Sequence, residues 1–327
     1  MVKIEYRKLI NLGKDSFVIT LPKKYVKKNN LKKGDTIYLD DRGSDFIVSA
    51  KNKEDEKKVI RRIIVDANNK NLDFLKTEIV SSYLTNYDII EITGKLLERE
   101  SQNIRNILRD LAGFEIIEQT SSKIVAKDFL DIKEVSIRAM IRRMDMIIRG
   151  MMEDAWFCIE NDCNKVSCYE NIYQRDKDVN RLVFLTYRVL RNALRNQKVA
   201  EIINMSYVDI LTNWSIVMRL EKIGDQSKRL ARHFVLINPK KEKNLAELKE
   251  MYFELKQKYL DVMKSYYTND KELALHIEVE NKNRIQSYNE FLEKNGEKYI
   301  KIVEQLKNMS IAVRHIARNV IGGIVAE

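Results

Sequence analysis

The sequence predicts a multi-domain α+β protein: a small β module at the N-terminus, a small α+β unit in the middle and an all-helical C-terminal body. At 327 residues the chain is long enough for several domains. It has only two prolines and ten glycines, which is too few for a many-turned β fold and suits long helices. Strand-like alternation is confined to the first 130 residues, and helical spacing of apolar residues covers the rest.

The N-terminal module is predicted from short alternating runs between Tyr6 and Ser49. Turn signals separate these runs at residues 13–15, 33–35 and 41–43. Pro22 opens a short helix that closes near residues 29–30, which gives the order strand, strand, short helix, strand, strand. About 50 residues of this kind bury little apolar surface alone, so we expect a partner chain or an interleaved dimer.

The positive charge of the chain is concentrated in this module. The net charge is +11, and residues 1–33 alone contribute ten Lys or Arg against Glu5 and Asp15, a net of +8. Such a segment suits phosphate contacts with duplex DNA, although a solvated lysine-rich surface is the alternative. The residues that we predict to contact DNA are Arg7, Lys8, Lys14, Lys23 and Lys24.

The middle unit mixes strand and helix periods. Strand patterns cover residues 61–65 and 88–93, helical patterns cover residues 72–84 and 98–111, and residues 114–117 and 123–126 form a predicted hairpin. A polar connector at residues 51–58 precedes this unit. The predicted domains are therefore residues 1–53, 54–130, 131–238 and 239–327.

The helical body is predicted from apolar residues at three-four spacing, beginning with Ile137, Met140, Ile141 and Met144. The predicted helices span residues 131–160, 171–197, 201–236, 242–267, 270–294 and 297–325. A break at Asn238-Pro239 leaves three helices on each side, which suggests a tandem repeat of a three-helix bundle.

Two pairs of oxygen-bearing side chains stand out in the first repeat. Asp176 with Asn180 and Glu221 with Asp225 are each four residues apart, on one helical face. If the pairs converge, they can hold a cation, as carboxylate sites in helical bundles do. The alternative is a solvated acidic face paired with nearby arginines.

Other site chemistry has little support in the sequence. The cysteines Cys158, Cys163 and Cys168 match neither a disulfide framework nor a CxxC site, and they suit reduced thiols in the cytoplasm. The three histidines lie on separate predicted helices, and no phosphate-cradling glycine loop or nucleophile motif occurs. We therefore expect a cytoplasmic, non-enzymatic protein with no membrane insertion.

The segment from Ser16 to Leu39, with Leu21-Pro22 and Leu31-Lys-Lys-Gly34-Asp35, resembles the AbrB/SpoVT (MazE-like) swapped-hairpin domain. This resemblance implies an interleaved homodimer that binds DNA. It covers most of residues 5–49.

In the helical body, the segment from Arg219 to Ala231, with Glu221-Lys-Ile-Gly-Asp225, resembles PhoU phosphate-uptake regulators. The six-helix layout after residue 131 is also similar to their paired three-helix repeats. The resemblance implies a divalent, iron or zinc ion at the acidic residues. Ile311 and His315 stand where it leads us to expect Glu and Asp in the second repeat.

The leading functional hypothesis is a dimeric phosphate-uptake regulator that binds operator DNA and senses or docks through its helical body. The alternative is an adaptor that controls a phosphate ABC transporter or a sensor protein without binding DNA. An antitoxin that neutralises a partner toxin and a metal store or sensor are further alternatives. The domain resemblance does not separate the first two.

Overall fold

The computed structural model describes residues 5–14, 16–41, 46–50, 60–95, 97–160, 165–237 and 243–322. The chain divides into two compact units, residues 1–59 and 60–327. Several sequence predictions fall outside the described residues: most of the turn at 41–43, the connector at 51–58, Cys163 and the break at Asn238-Pro239.

The first unit consists of two hairpins and a short helix. Its elements are β1 (Ile10–Asn11), β2 (Phe17–Val18), α1 (Lys23–Lys28), β3 (Tyr38–Asp41) and β4 (Phe46–Ser49). Both strand pairs are antiparallel, with Ile10 opposite Val18 and Tyr38 opposite Ser49. The element order predicted from the sequence is confirmed.

The N-terminal part of the second unit is a four-stranded sheet with two helices. Its elements are β5 (Arg62–Asp66), α2 (Leu72–Leu84), β6 (Ile89–Thr93), α3 (Leu97–Arg109), β7 (Phe114–Gln119) and β8 (Lys123–Asp128). The strand order is β5-β6-β8-β7, and β5 runs parallel to β6 while the other pairs are antiparallel. Asn71 begins α2 by accepting a hydrogen bond from the Phe74 amide (2.8 Å).

One face of this sheet is buried and the other carries charge. Val65, Ile90 and Ile92 are fully buried, in one apolar core with residues of α2 and α3. The alternate residues carry ion pairs, Arg62 with Glu91 and Lys123 with Glu118. This inside–outside alternation is what the period-2 pattern of the sequence predicts.

The helical body begins after a 3-10 turn at Ile132–Glu134. Its helices are α4 (Ile137–Glu160), α5 (Lys165–Arg195), α6 (Gln197–Ile202), α7 (Tyr207–Ile237), α8 (Leu245–Thr268), α9 (Lys271–Asn295) and α10 (Ile300–Gly322). Helices α4, α5 and α7 pack as one three-helix bundle, and α8, α9 and α10 pack as a second. The two bundles meet mainly where α7 packs against α10, in one continuous apolar core.

Three predicted helix limits are wrong, two of them for local reasons. The helix predicted to begin at residue 171 begins at Lys165. The first long helix does not begin at residue 131, because the Asp131 side chain accepts a hydrogen bond from the Lys133 amide (3.0 Å) and caps a separate 3-10 turn. The helix predicted at residues 201–236 is divided, because Asn204 adopts a left-handed backbone conformation with φ of 51°. Helix α7 therefore begins at Tyr207.

The two bundles also share aromatic and polar contacts. Trp156 of α4 stacks on Tyr252 of α8, with ring centroids 5.3 Å apart. The Tyr252 hydroxyl donates to the backbone carbonyl of Met152 (2.5 Å). Helices α4 and α8 thus add a second line of contact between the bundles.

Arg188 of α5 joins the first bundle to the sheet. Its side chain is 4% exposed, and it pairs with Asp128 (Nη2 to Oδ2, 2.7 Å). Its guanidinium also lies 4.5 Å from the ring centroid of Tyr83 and 4.8 Å from that of Phe114. One buried cation therefore links β8, α2 and β7 to the helical body.

The described helices include no segment long and apolar enough to cross a membrane.

Candidate functional site

The five residues predicted to contact DNA are all exposed in the first unit. Arg7 and Lys8 precede β1, and Lys23 and Lys24 open α1 after β2. Because β1 and β2 are antiparallel, the residues before β1 and after β2 belong to the same end of the hairpin. Lys14 follows Gly13 at the turn, which is the opposite end.

The first unit lacks an apolar core of its own. None of its described residues is buried, and Phe17, Leu39 and Phe46 are each more than 60% exposed. Helix α1 is joined to β4 by a hydrogen bond from the Tyr25 hydroxyl to the Val48 carbonyl (3.1 Å). A single copy of this unit therefore leaves apolar surface that a folded domain ordinarily covers.

The acidic residues predicted to bind a metal ion do come close together on α5 and α7. The Asn180 amide donates to Asp176 Oδ2 (3.4 Å) on α5. On α7, the Glu221 carboxyl is repelled electrostatically by the carboxylates of Asp225 and Asp176. Burial raises the pKa of Glu221, and repulsion from Asp225 and Asp176 raises it further.

A lysine lies inside this acidic group. The Lys228 ammonium is 2.7 Å from Asp176 Oδ2 and 3.1 Å from Asp225 Oδ1. Arg229 pairs with the other oxygen of Asp225 (2.8 Å). Burial acts to lower the pKa of Lys228, but its bonds to Asp176 and Asp225 outweigh this and raise the pKa.

This arrangement fits an internal ion pair better than a metal site. Asp176 Oδ2 and both oxygens of Asp225 already bind cationic side chains, so a metal ion would have to compete for these three oxygens. Across the described part of the chain, no three His, Cys, Asp or Glu side chains are placed to share a metal ion. The metal site at Asp176, Asn180, Glu221 and Asp225 stays a prediction from the sequence, and the geometry argues against it.

The sequence reasoning passed over Lys228, although a signal for it was present. Lys228 is three residues after Asp225 and seven after Glu221, so it lies on the same helical face. Weighing every charged residue on that face, and not the acids alone, would have identified the pairing.

Comparison with protein-family models gives two matches. Residues 10–56 match the family described as antidote-toxin recognition MazE, bacterial antitoxin. Residues 141–234 match the PhoU domain. The chain thus joins a segment similar to MazE to a segment similar to the PhoU domain. Both resemblances predicted from the sequence are thereby confirmed.

The segment that matches MazE contains both hairpins and three of the basic residues, Lys14, Lys23 and Lys24, whereas Arg7 and Lys8 precede it. The segment that matches the PhoU domain contains the acidic group with Lys228. Both families are regulatory, and PhoU domains are typical of phosphate-uptake regulation. Among solved structures, PhoU from Pseudomonas aeruginosa is similar, with 17% identity and a TM-score of 0.48 over 57% of this chain and 93% of that one. None of the curated proteins matches this chain.

Proposed function

We propose that this protein is a homodimeric, DNA-binding regulator of phosphate uptake that acts without a catalytic step. The MazE-type segment binds operator DNA, and the PhoU domain senses a signal or docks on a partner. The observation that carries the proposal is a basic hairpin module without a buried core on the same chain as a PhoU domain.

The exposed apolar residues support the dimer. They occur on all four strands and next to them, and each is at least 37% exposed: Tyr6, Leu9, Ile10, Leu12, Phe17, Val18, Ile19, Tyr38, Leu39 and Phe46. Burying this surface is worth roughly 25 cal/mol per Å², which favours association strongly. A second copy brings an identical surface, so a self-complementary two-fold interface covers both.

The basic residues support DNA as the ligand. Arg7, Lys8, Lys14, Lys23 and Lys24 project from exposed positions at both ends of the β1–β2 hairpin. Lysine and arginine at such positions contact phosphates and release condensed counterions, so affinity falls steeply with salt. Dimerisation doubles these contacts and creates two half-sites.

The test is a salt titration of binding to DNA upstream of the protein's own gene and of phosphate-transport genes. We expect tight, sequence-selective binding with a steep salt slope. Changing Lys14, Lys23 and Lys24 to Ala should weaken binding and flatten the slope. The control removes three exposed lysines of the second bundle, Lys264, Lys271 and Lys282.

Two outcomes would overturn the DNA claim. One is the absence of binding at low salt, and the other is an equal loss of affinity in the control variant. The first outcome would favour the adaptor.

The adaptor is the second candidate, and an apolar face on the PhoU domain favours it. Tyr207, Val208 and Leu211 at the start of α7 are each about half exposed or more, and their spacing places them on one side of the helix. Recovery of a transporter ATPase with the tagged protein, combined with absent DNA binding, would support this candidate. The match to MazE gives the same pull-down a third outcome. Co-purification of a small toxin would support a function as an antitoxin.

A further inference from the structure

Each three-helix bundle contains a cation supplied by its own side chains. In the first bundle this is Lys228 of α7, which reaches across to Asp176 of α5 and also binds Asp225 on its own helix. The side chain of Asp176 is only 7% exposed, so this ion pair is largely shielded from water. An ammonium offers three donors and no acceptor, which suits a position between carboxylates.

In the second bundle the cation is Arg284 of α9, whose side chain is 1% exposed. Its Nε lies 3.2 Å from Glu254 Oε1 on α8, and its Nη1 lies 3.2 Å from the Ser310 hydroxyl on α10. One guanidinium therefore touches all three helices of its bundle. Both bundles therefore contain an internal cation, which joins two helices in the first bundle and three in the second.

A divalent ion and the Lys228 ammonium would compete for the same oxygens. An ion bound by Asp176 and Asp225 would lie within a few ångströms of the ammonium, where like charges repel strongly. To admit the ion, the protein would have to move Lys228 away or remove its proton. The bonds to both aspartates oppose both changes.

We propose that Lys228 is a tethered cation that takes the place of a divalent ion in the first bundle. The protein then binds no divalent ion at this group until the ammonium is removed. Asp176 and Asp225, whose oxygens converge on the ammonium, are then a pair of carboxylate ligands of the kind that Mn²⁺ and Mg²⁺ accept together with water. This inference concerns the chemistry of the bundle and does not depend on DNA binding.

The test compares Mn²⁺ binding by three full-length proteins, each stripped with chelator, in equilibrium dialysis. The proteins are the wild type, Lys228→Met and Lys222→Met. Lys222 is an exposed lysine on the same helix and serves as the matched control. We expect Lys228→Met to gain one Mn²⁺ per chain with at least tenfold higher affinity than the other two.

A further pair of variants locates the ion. Adding Asp225→Asn to Lys228→Met should abolish the gained site, because one of its ligands is lost. Asp225→Asn alone should leave Mn²⁺ binding by the otherwise wild-type protein unchanged. This second measurement does not depend on the folding of the Lys228 variant.

Either of two results would overturn the proposal. The first is that the wild type binds one Mn²⁺ and that Asp225→Asn abolishes this binding, which would show that the ion and the Lys228 ammonium coexist. Alternatively, a Lys228→Met protein with the wild-type helix content by circular dichroism gains no Mn²⁺.

Discussion

Arg188 illustrates how single buried charges position the parts of the second unit. Its guanidinium pairs with Asp128 and donates a hydrogen bond to the Tyr87 carbonyl (3.2 Å). It also lies against the rings of Tyr83 and Phe114. A buried pair of this kind adds little net stability but is costly to break, since one charge is then left without a partner.

We predict that Arg188→Met lowers the free energy of unfolding by about 3 kcal/mol, because Asp128 loses its partner in a buried setting. Urea denaturation of the full chain, followed by helix circular dichroism, measures the change. The exposed Arg195 on the same helix is the control, and Arg195→Met should change stability by less than about 0.5 kcal/mol. Equal effects of the two changes would contradict the role given to Arg188.

The Asp128 partner provides a second check. The double variant Arg188→Met with Asp128→Asn should recover part of the loss, since it no longer leaves a buried carboxylate alone. Strict additivity of the two changes would show that the residues are not coupled.

At this scale the sequence revealed the acidic side chains and the arginines near them, of which Arg229 does pair with Asp225, but not Lys228. Asp176 and Asp225 stood out by spacing, and the structure brings them together. The pairing of Lys228 with Asp225 on its own helix follows from their spacing, but its contact with Asp176 depends on the rotation of α7 against α5, which is set by packing across the whole bundle. The same holds for Arg188, whose partner Asp128 is 60 residues away.

At the scale of single elements, the turn between α8 and α9 is fixed by two adjacent residues. Asn269 ends α8 in the left-handed conformation, with φ of 55°. Asp270 then begins α9 by accepting a hydrogen bond from the Leu273 amide (3.0 Å). A short polar sequence therefore ends one helix and starts the next.

We predict that Asp270→Ala lowers stability by about 1 kcal/mol, because the first turn of α9 loses its cap. Asp270→Ser should retain most of the stability, since a serine hydroxyl accepts the same bond. Thermal unfolding of the full chain measures both changes. A loss as large for serine as for alanine would show that the cap is not the cause.

Elements with local start and stop signals were predicted closely. The helix expected at residues 72–84 is found with those limits, and its start carries the Asn71 cap. The division between α6 and α7 was missed, because the apolar spacing continues through it. Its local marks are the left-handed Asn204 and the reciprocal hydrogen bonds between Ser206 and Asp209 at the start of α7. Left-handed asparagines leave no mark on hydrophobic periodicity.

At the scale of the whole molecule, the exposed apolar residues of the first unit lead us to expect that two copies of the chain associate. Phe17 is 69% exposed on β2, and in the proposed dimer it is covered by the second copy. We expect Phe17→Asp to shift the protein from the mass of two chains to the 38.6 kDa of one in sedimentation velocity. Burying the aspartate charge in an apolar interface costs more free energy than the loss of the Phe17 contact alone.

The control for this experiment is Val279→Asp. Val279 is 73% exposed on α9, in the other unit, so its substitution should leave the dimer intact. A monomeric wild type would refute the dimer. A dimer that survives Phe17→Asp and dissociates with Val279→Asp would place the interface elsewhere.

Buried tyrosines make the second unit sensitive to alkali. Burial raises the pKa of Tyr83 and of Tyr266 to about 12, and burial with repulsion from Asp145 raises that of Tyr259 well above its ordinary value. The unfolded chain releases these protons near pH 10, before the folded chain does. Stability is therefore complete below pH 10 and is lost as the pH rises towards 12.

Each such tyrosine contributes a slope of about 1.4 kcal/mol per pH unit between pH 10 and 12. We predict that Tyr83→Phe flattens the alkaline slope by about this amount. Urea denaturation at a series of pH values measures it, with Tyr6→Phe at a highly exposed position as the control. An unchanged slope in Tyr83→Phe would contradict the assignment.

The packing of α7 against α10 has a consequence for synthesis. Helix α7 ends at Ile237, and α10, which packs against it, ends at Gly322. The ribosome must therefore add about 85 further residues before the whole of α10 can pack against α7. At roughly 5–20 residues per second this interval lasts about 4–17 s. During it, the half-made protein carries an uncovered apolar helix face. The nascent chain is therefore a natural client for a chaperone at this stage.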